Sequence, residues 1–516
     1  MTVRVVTADQ AAARDAAAIT AGTVSSQLMR RAGLGAAKYV LDHVGPAMGT
    51  SSASSIRALV CCGPGNNGGD GWVVAAALAR AGVLTHVLET SPPRSADAIA
   101  ARIEALPLVT LGPSAAPPNL VVDALLGTGA RGALHGAIAS ASATIAAVRA
   151  VGARVVSLDL PTGLDASTGD LADGAVLADV TVAFGTIKRG HLVARAACGE
   201  IVAIDIGLSS HAHLADGAPL LVDASWVDAR IPPIAAEAHK GVRRRLLIIG
   251  GDLGMAGAVA LAARGALRSG IGMVKVCVHP SSVAPLQAMV AEATAVAWPD
   301  GPPAASLSAW PDVLLLGPGL GAGPAARQRV EAWLTAFQGP VVVDADAFNA
   351  FAGDEVALGD LLDGRLAIVT PHPLEFARFI GVDVDTVLAE RFEIGARLAR
   401  ALHAVVLLKG VPTVVTAPDG ASIVSASGTP VLGTGGSGDI LGGIAATLLA
   451  QGGDPFQAAA CAAWVHGRAA ELANVGRPVR GVTLDDVLAS LGVAWSAPAT
   501  PLSPDVLARL PRVGDP

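Results

Sequence analysis

The chain has 516 residues, a net charge of −7, and an apolar content of 52% with only 3% aromatics. That length exceeds one core and predicts at least two domains built on Ala, Val, Leu and Ile, and the acidic balance argues against a nucleic-acid surface. Mean hydropathy is high at +0.54, yet every apolar run of about eighteen residues is broken by charge, proline or clustered glycine, so no membrane-spanning helix is expected.

The first residues reach Asp9, Arg14 and Asp15 without an apolar signal region, so they do not read as a secretory leader. Ile56–Cys62, Leu84–Leu88, Leu120–Ala124, Arg154–Leu158, Val180–Phe184 and Ile201–Ile206 read as short buried strands. Ala-rich stretches between several of them read as crossover helices, which gives a doubly wound parallel α/β sheet. The five cysteines show no Cys-x-x-Cys spacing, and Cys61, Cys62 and Cys277 sit in apolar runs as small hydrophobes. A reducing, cytoplasmic setting is expected. His191, His211 and His213 lack a close third ligand, so no transition metal is expected.

Residues 208–235 change character and mark a linker between a domain at 1–215 and a second at 222–497. In the second half Arg245–Ile249, Met273–Val278, Asp312–Leu316, Pro340–Val343, Leu366–Val369 and Ala404–Leu408 read as strands, with a hairpin at Thr413–Thr416 and Ser422–Ser425. Ala256–Ser269, Pro324–Phe337, Thr386–Leu402, Ser437–Ala450 and Pro455–Ala473 read as helices. Residues 498–516 are proline-rich and read as a loosely held tail.

Two glycine-rich loops stand out. Gly63-Pro-Gly-Asn-Asn-Gly-Gly-Asp-Gly71 follows a strand, and Gly433-Thr-Gly-Gly-Ser-Gly-Asp439 opens a helix. Glycine permits close backbone approach, so successive N–H groups can converge on an anion beside a helix N-terminus. Two such loops suggest two active sites. Gly63–Gly68 fits Gly-x-Gly-x-x-Gly, but Glu89 is a poor match to the acidic residue of the dinucleotide fingerprint. Asn66–Asp70, Asp123 with the Gly127–Gly132 loop, Asp159–Gly163 and Lys188 fall at expected strand ends, where open α/β sheets bind ligands. Asn67, Asp123 and the Thr162 region supply carbonyl, carboxylate and hydroxyl oxygens, which suit a hard monovalent cation or a ribose-phosphate. The plainer alternative is that these glycines make turns and the aspartates cap helices. In the second half no Gly-Lys dipeptide exists, which excludes a Walker loop. Gly435, Gly436 and Gly438 can cradle a phosphate leaving as an oxyanion, Lys409 offers a point charge, and Asp439 can take a proton from an attacking hydroxyl.

The order Gly-x-Gly-Asn-Asn-Gly-Gly-Asp-Gly, Val122-Asp-Ala-Leu-Leu-Gly-Thr-Gly129 and Asp159-Leu-Pro-Thr-Gly-Leu-Asp165 resembles the epimerase domain of bifunctional NAD(P)H-hydrate repair enzymes. His239-Lys-Gly241, Gly254-Met-Ala-Gly-Ala258, Gly317-Pro-Gly-Leu-Gly321, Asp344-Ala-Asp-Ala347, Thr370-Pro-His-Pro-Leu-Glu375, Lys409-Gly410 and Gly435–Asp439 resemble their ADP- or ATP-dependent dehydratase domain. Together the resemblances cover about residues 1–495. Thr162 replaces a usual Ser, Arg30 a usual acid or Asn, and Arg244 and Leu374 usual glycines.

The resemblance implies two three-layer α/β/α domains, a Rossmann-like epimerase and a ribokinase-like dehydratase. It implies potassium at Asn67, Asp123 and Thr162, and hydrated cofactor at Asn66, Asn67, Gly68, Gly69, Asp70, Gly127, Thr128, Gly129, Ala130, Arg131, Gly132, Ala133 and Asp159. For the dehydratase it implies substrate at Ala258, Gly321, His372 and Asp439, and ADP or ATP with magnesium at Lys409, Gly410, Val411, Pro412, Thr413 and Gly438. Asp159 and Asp439 are the expected catalytic residues. The expected partners are small molecules only (NADHX, NADPHX, ADP or ATP), with no nucleic acid or membrane, in a homo-oligomer. The competing reading is a ribokinase-like kinase of a small vitamin precursor, with a non-catalytic nucleotide-binding first domain.

Overall fold

The computed structural model describes residues 3–50, 52–113, 116–208, 211, 216–299, 301–496, 503 and 505–513. His213 lies outside them. The chain forms two compact units that divide between Ala218 and Pro219, and the first takes back a segment near the C-terminus.

In the first unit, β1 (Val5–Val6) pairs with β8 (Ile187–Lys188) in a small parallel sheet of its own. The main strands are β2 (Arg57–Cys62), β3 (Leu84–Glu89), β4 (Thr110–Leu111), β5 (Leu120–Ala124), β6 (Arg154–Leu158), β7 (Val180–Phe184) and β9 (Glu200–Ile204). β5 and β7 are buried along their whole length, as expected where helices cover both faces of a parallel sheet.

The second unit carries β10 (Leu220–Leu221), β11 (Arg245–Ile249), β12 (Met273–Val278), β13 (Thr294–Ala297), β14 (Val313–Leu316), β15 (Val341–Val343), β16 (Ala367–Val369), β17 (Val405–Leu408), β18 (Thr413–Thr416) and β19 (Ser422–Ser425). They form one sheet in the order β10-β19-β18-β17-β16-β15-β14-β11-β12-β13. It is parallel from β17 to β13, and the expected hairpin forms the antiparallel pair β18–β19. Both units are therefore α/β.

Four expectations need correction. The last described residues are no loose tail: β20 (Val506–Leu510) pairs antiparallel with β9, completing a sheet ordered β20-β9-β7-β6-β5-β2-β3-β4. Half of the supposed linker is structured, because Val222, Trp226 and Val227 are buried in the second unit's core and Asp223 caps the helix Ala224–Asp228. The helix expected over 386–402 is two, Val384–Ala389 and Gly395–Leu402, and a Cβ at Gly395 would meet Thr416 Oγ1 at 2.9 Å. Asn66–Gly71 is not a loop. The helix starts at Asn66 and runs to Arg80, with Gly65 as its N-cap. All five cysteines are buried and free, and no helix among the described residues is long and apolar enough to cross a membrane.

Candidate active sites

In the first unit β2 lies between β3 and β5, so the chain reverses its direction of winding there and a crevice opens beyond the strand ends. Gly63 closes the loop after β2 tightly, since a Cβ there would sit 1.8 Å from Leu125 O. The Asn67 amide donates to Leu126 O at 2.9 Å, while its Oδ1 is buried with no partner. Asp123, fully buried at the end of β5, accepts from Thr162 Oγ1 (2.7 Å), Thr162 N (2.8 Å), Ser157 Oγ (2.9 Å) and Leu125 N (3.3 Å). Burial raises its pKa against the pull of those donors. The Leu126 backbone links Asn67 to the Asp123–Thr162 pair, because its carbonyl accepts from Asn67 Nδ2 while its N–H donates to Thr162 Oγ1 at 3.1 Å.

Beside them opens a cavity of about 980 Å³, lined by Asn66, Asp70, Thr128, Asp159 and Lys188 among others. Gly127, Gly129, Ala130 and Arg131 also line it; Gly68, Gly69, Gly132 and Ala133 do not. Asp159 has φ +63°, a left-handed conformation that is strained for a side-chain-bearing residue. Its carboxylate accepts from Lys188 Nζ, Thr128 Oγ1 and Phe184 N. Burial opposes ionisation most strongly, but the Lys188 ammonium and the hydrogen bonds from Lys188 and Thr128 together hold the Asp159 pKa below the ordinary value. Lys188 Nζ also donates to Phe184 O at 3.1 Å. His191 Nδ1 accepts from Lys188 N (3.0 Å) while Nε2 meets Asp159 O (2.7 Å), which fits a neutral ring with its proton on Nε2. Burial, reinforced by Lys188, lowers that ring's pKa to about 4. Asp70 is pushed well above the carboxylate range by burial and then by the Asp159 charge. The site therefore sets a carboxyl whose ionisation is opposed, Asp70, near the Asp159–Lys188 ion pair, so that two carboxyls are pushed in opposite directions, as acid–base work needs. Sequence reasoning set Lys188 at a strand end with these residues but gave it no role, and it missed His191 as part of this site. The available signal was position, because Lys188 ends a strand registered on Val6.

The second unit's sheet reverses at β11, between β12 and β14. Its loops cross-link there: Gly251 N donates to Pro318 O at 2.9 Å and Asp252 N to Gly319 O at 2.7 Å. Ala258 lies against Gly319, where an added Cβ would be 3.1 Å from the Ala258 Cβ. Gly321 N donates to Asp346 Oδ2 at 2.9 Å. Asp344, buried after β15, accepts from Thr370 Oγ1 (2.6 Å) and Lys409 Nζ (3.0 Å). The helix Ser437–Gly452 aims its first turn at this pair, for a Cβ on Gly438 would stand 3.3 Å from Lys409 Nζ. Asp439, in that turn, has its pKa raised to about 7 by burial and then by the Asp344 carboxylate. His372 caps the helix Pro373–Ile380, its Nδ1 accepting from Leu374 N and Glu375 N, and Glu375 Oε2 lies 3.9 Å from Lys409 Nζ. Gly410 to Thr413 form a tight turn, with a cis Val411–Pro412 bond and Thr413 Oγ1 donating to Gly410 O at 3.1 Å. Sequence reasoning gave no role to Asp344, Asp346 or Glu375, although they stood inside the quoted motifs.

Residues 246–491 match the sequence profile of the NAD(P)H-hydrate dehydratase family, and residues 25–190 that of the YjeF-related protein N-terminus. The chain is 37% identical to a bifunctional NAD(P)H-hydrate repair enzyme of Moorella thermoacetica, over 89% of this chain and 90% of that one. With the corresponding Escherichia coli enzyme it shares 36% identity, over 84% of each. Among solved structures it is similar to an ADP/ATP-dependent NAD(P)H-hydrate dehydratase of Bacillus subtilis co-crystallised with ATP/Mg2+. The identity there is 30%, covering 52% of this chain and 95% of that one, with a TM-score of 0.48.

Proposed function

The chain belongs to the family of bifunctional NAD(P)H-hydrate repair enzymes, and we propose that its first unit interconverts the R and S hydrates of NADH and NADPH while its second returns the S form to NAD(P)H. The observation that carries the second half is Asp439, with a pKa near 7, beside Lys409 at a helix N-terminus. In this reading Asp439 takes the proton of the substrate's C6 hydroxyl, and that oxygen attacks the terminal phosphoryl group of ADP, releasing AMP. The C6–O bond then breaks with loss of a proton from C5, leaving phosphate and the restored dihydronicotinamide. Lys409 and the first-turn N–H groups meet the developing phosphate charge. Lys409, Gly410, Val411, Pro412, Thr413 and Gly438 hold the nucleotide, and Ala258, Gly321 and His372 face the substrate. Among the described residues no three His, Cys, Asp or Glu side chains converge as a metal cage, which suits magnesium held mainly by phosphates and water with one or two carboxylates.

In the first unit Asp159 is the catalytic carboxylate, and potassium sits at Asn67, Asp123 and Thr162, where the orphaned Asn67 Oδ1 offers an acceptor. Asn66, Asp70 and the segment from Gly127 to Arg131 receive the hydrated nucleotide. Five buried free thiols fit a cytoplasmic protein. A vitamin-precursor kinase would leave the Asp159–Lys188 site without a purpose.

The test is the recovery of near-ultraviolet nicotinamide absorbance from hydrated NADH with ADP and magnesium. Asp439→Ala should lower the rate roughly a hundred-fold or more. In the wild type kcat/KM should rise with pH through about 7 as Asp439 loses its proton. Asp344→Asn removes the charge that raises Asp439 and should move that limb to lower pH. A limb that stays in place in Asp344→Asn, or an Asp439→Ala enzyme of normal rate, rules out Asp439 as the base.

A further inference from the structure

Four cationic side chains line the first unit's cavity: Arg14, Arg94, Arg131 and Lys188. Three are engaged. Arg14 donates to Leu208 O at 3.3 Å, Arg131 pairs with Asp9 at 3.4 Å, and Lys188 is held by Asp159. Arg94 is exposed, and among the described residues its guanidinium has no hydrogen-bond or ion-pair partner. Its backbone is fixed, however, since Arg94 N donates to Pro64 O at 3.0 Å in the loop that follows β2. The nearby Asp97, which also lines the cavity, accepts from Ser25 Oγ at 2.5 Å through one carboxylate oxygen and makes no ion pair with Arg94.

Arg94 lies just beyond β3, the strand next to β2. In open α/β sites a carboxylate at the end of this second strand reads a ribose 2′-hydroxyl and repels a 2′-phosphate, whereas a nearby arginine accepts the phosphate. Here the strand-end carboxylate is Glu89. Arg102 grips it with two hydrogen bonds, at 2.7 and 2.9 Å, and Glu89 does not line the cavity. The group that would repel a 2′-phosphate is neutralised and turned away, while an unpaired guanidinium faces the same space. A phosphate dianion is the ligand that a rigid five-donor cation best matches.

We propose that Arg94 binds the 2′-phosphate of the hydrated dinucleotide, so that the first unit prefers the hydrate of NADPH over that of NADH. This rests on the epimerase reading of the first unit. The pyrophosphate shared by both substrates is left to the loop after β2 and the N-terminus of the helix Asn66–Arg80.

The experiment compares R-to-S conversion of NADHX and NADPHX by the full-length wild type and by Arg94→Ala. The expected result is a KM for NADPHX raised on the order of tenfold, with NADHX turnover unchanged, which also shows that the variant is folded. Equal loss on both substrates would assign Arg94 to the shared pyrophosphate and overturn the proposal, as would no loss on either. A wild type that converts neither hydrate would instead refute the epimerase reading itself.

Discussion

Asn67 divides its amide between two tasks: Nδ2 ties down Leu126 O at 2.9 Å while Oδ1 is left buried and unpaired. An unpaired buried carbonyl oxygen costs free energy unless a donor or a cation meets it, and a monovalent cation would. Asp123 cannot test this cleanly, because each of its oxygens already accepts a backbone N–H, from Leu125 or Thr162. An asparagine there would set an amide N–H against one of them. Asn67→Ala is the sharper variant. Epimerisation should lose its activation by potassium over choline, or need at least about tenfold more potassium. If Asn67 only anchors the Leu126 loop, the rate will fall at every potassium concentration and the cation dependence will keep its midpoint. The composition of this cluster was legible in the sequence, since Asn67, Asp123 and Thr162 each end or follow a strand-like run. The left-handed backbone of Asp159 was not, because nothing in the residue's identity marks it. Arg244 is a parallel case, with φ +75°.

The helix Asn66–Arg80 begins inside the motif that reads as a loop, and its glycines do different work along it. A Cβ on Gly68 would stand 1.8 Å from Gly63 O, and one on Gly71 would stand 2.5 Å from Ala124 Cβ. These glycines let the helix press against the strand ends. Gly65, the N-cap, has φ −91° and open space around its missing Cβ, so it fits close ligand approach instead. Gly68→Ala should destabilise the first unit by about 3 kcal/mol or more through backbone collision. Gly65→Ala should leave the urea midpoint almost unmoved while epimerisation weakens. Equal midpoints for both variants would remove this division of roles. Glycine richness reads as a loop over the whole of Gly63–Gly71, whereas the helix begins at Asn66, because the same residue serves positive φ, ligand approach and helix packing. Strands were easier to place. Leu120–Ala124, Arg154–Leu158 and Arg245–Ile249 are short runs dominated by Val, Leu and Ile, and the chain folds them with those bounds.

At the scale of the molecule, the chain leaves the first unit at Ala218, builds the second, and returns to add β20 at the edge of the first sheet. Prolines at 504 and 511 hide this strand in the sequence, where they read as the signature of a tail; in the fold Pro511 directly follows an edge strand, the place where a sheet tolerates proline. The edge has real anchors. Ala508 is buried and Val506 packs on the first core. Arg509 pairs with Glu200, which also accepts from Tyr39 Oη at 3.1 Å, and Arg195 donates to Pro511 O. We therefore expect a fragment ending at Ala218 to fold but to expose β9 as an unpaired edge, the usual template for aggregation. Its unfolding free energy should fall short of the first unit's in the full chain by roughly 2 kcal/mol or more, the scale of one buried aliphatic side chain with its strand contacts. A synthetic peptide covering 503–513 should restore the loss in a concentration-dependent way, because it binds only the folded fragment. Urea unfolding of the fragment, with and without the peptide, against the full chain decides the matter. A fragment as stable as the intact unit and indifferent to the peptide would mean that β20 adds no stability, and that the first unit is complete at Ala218.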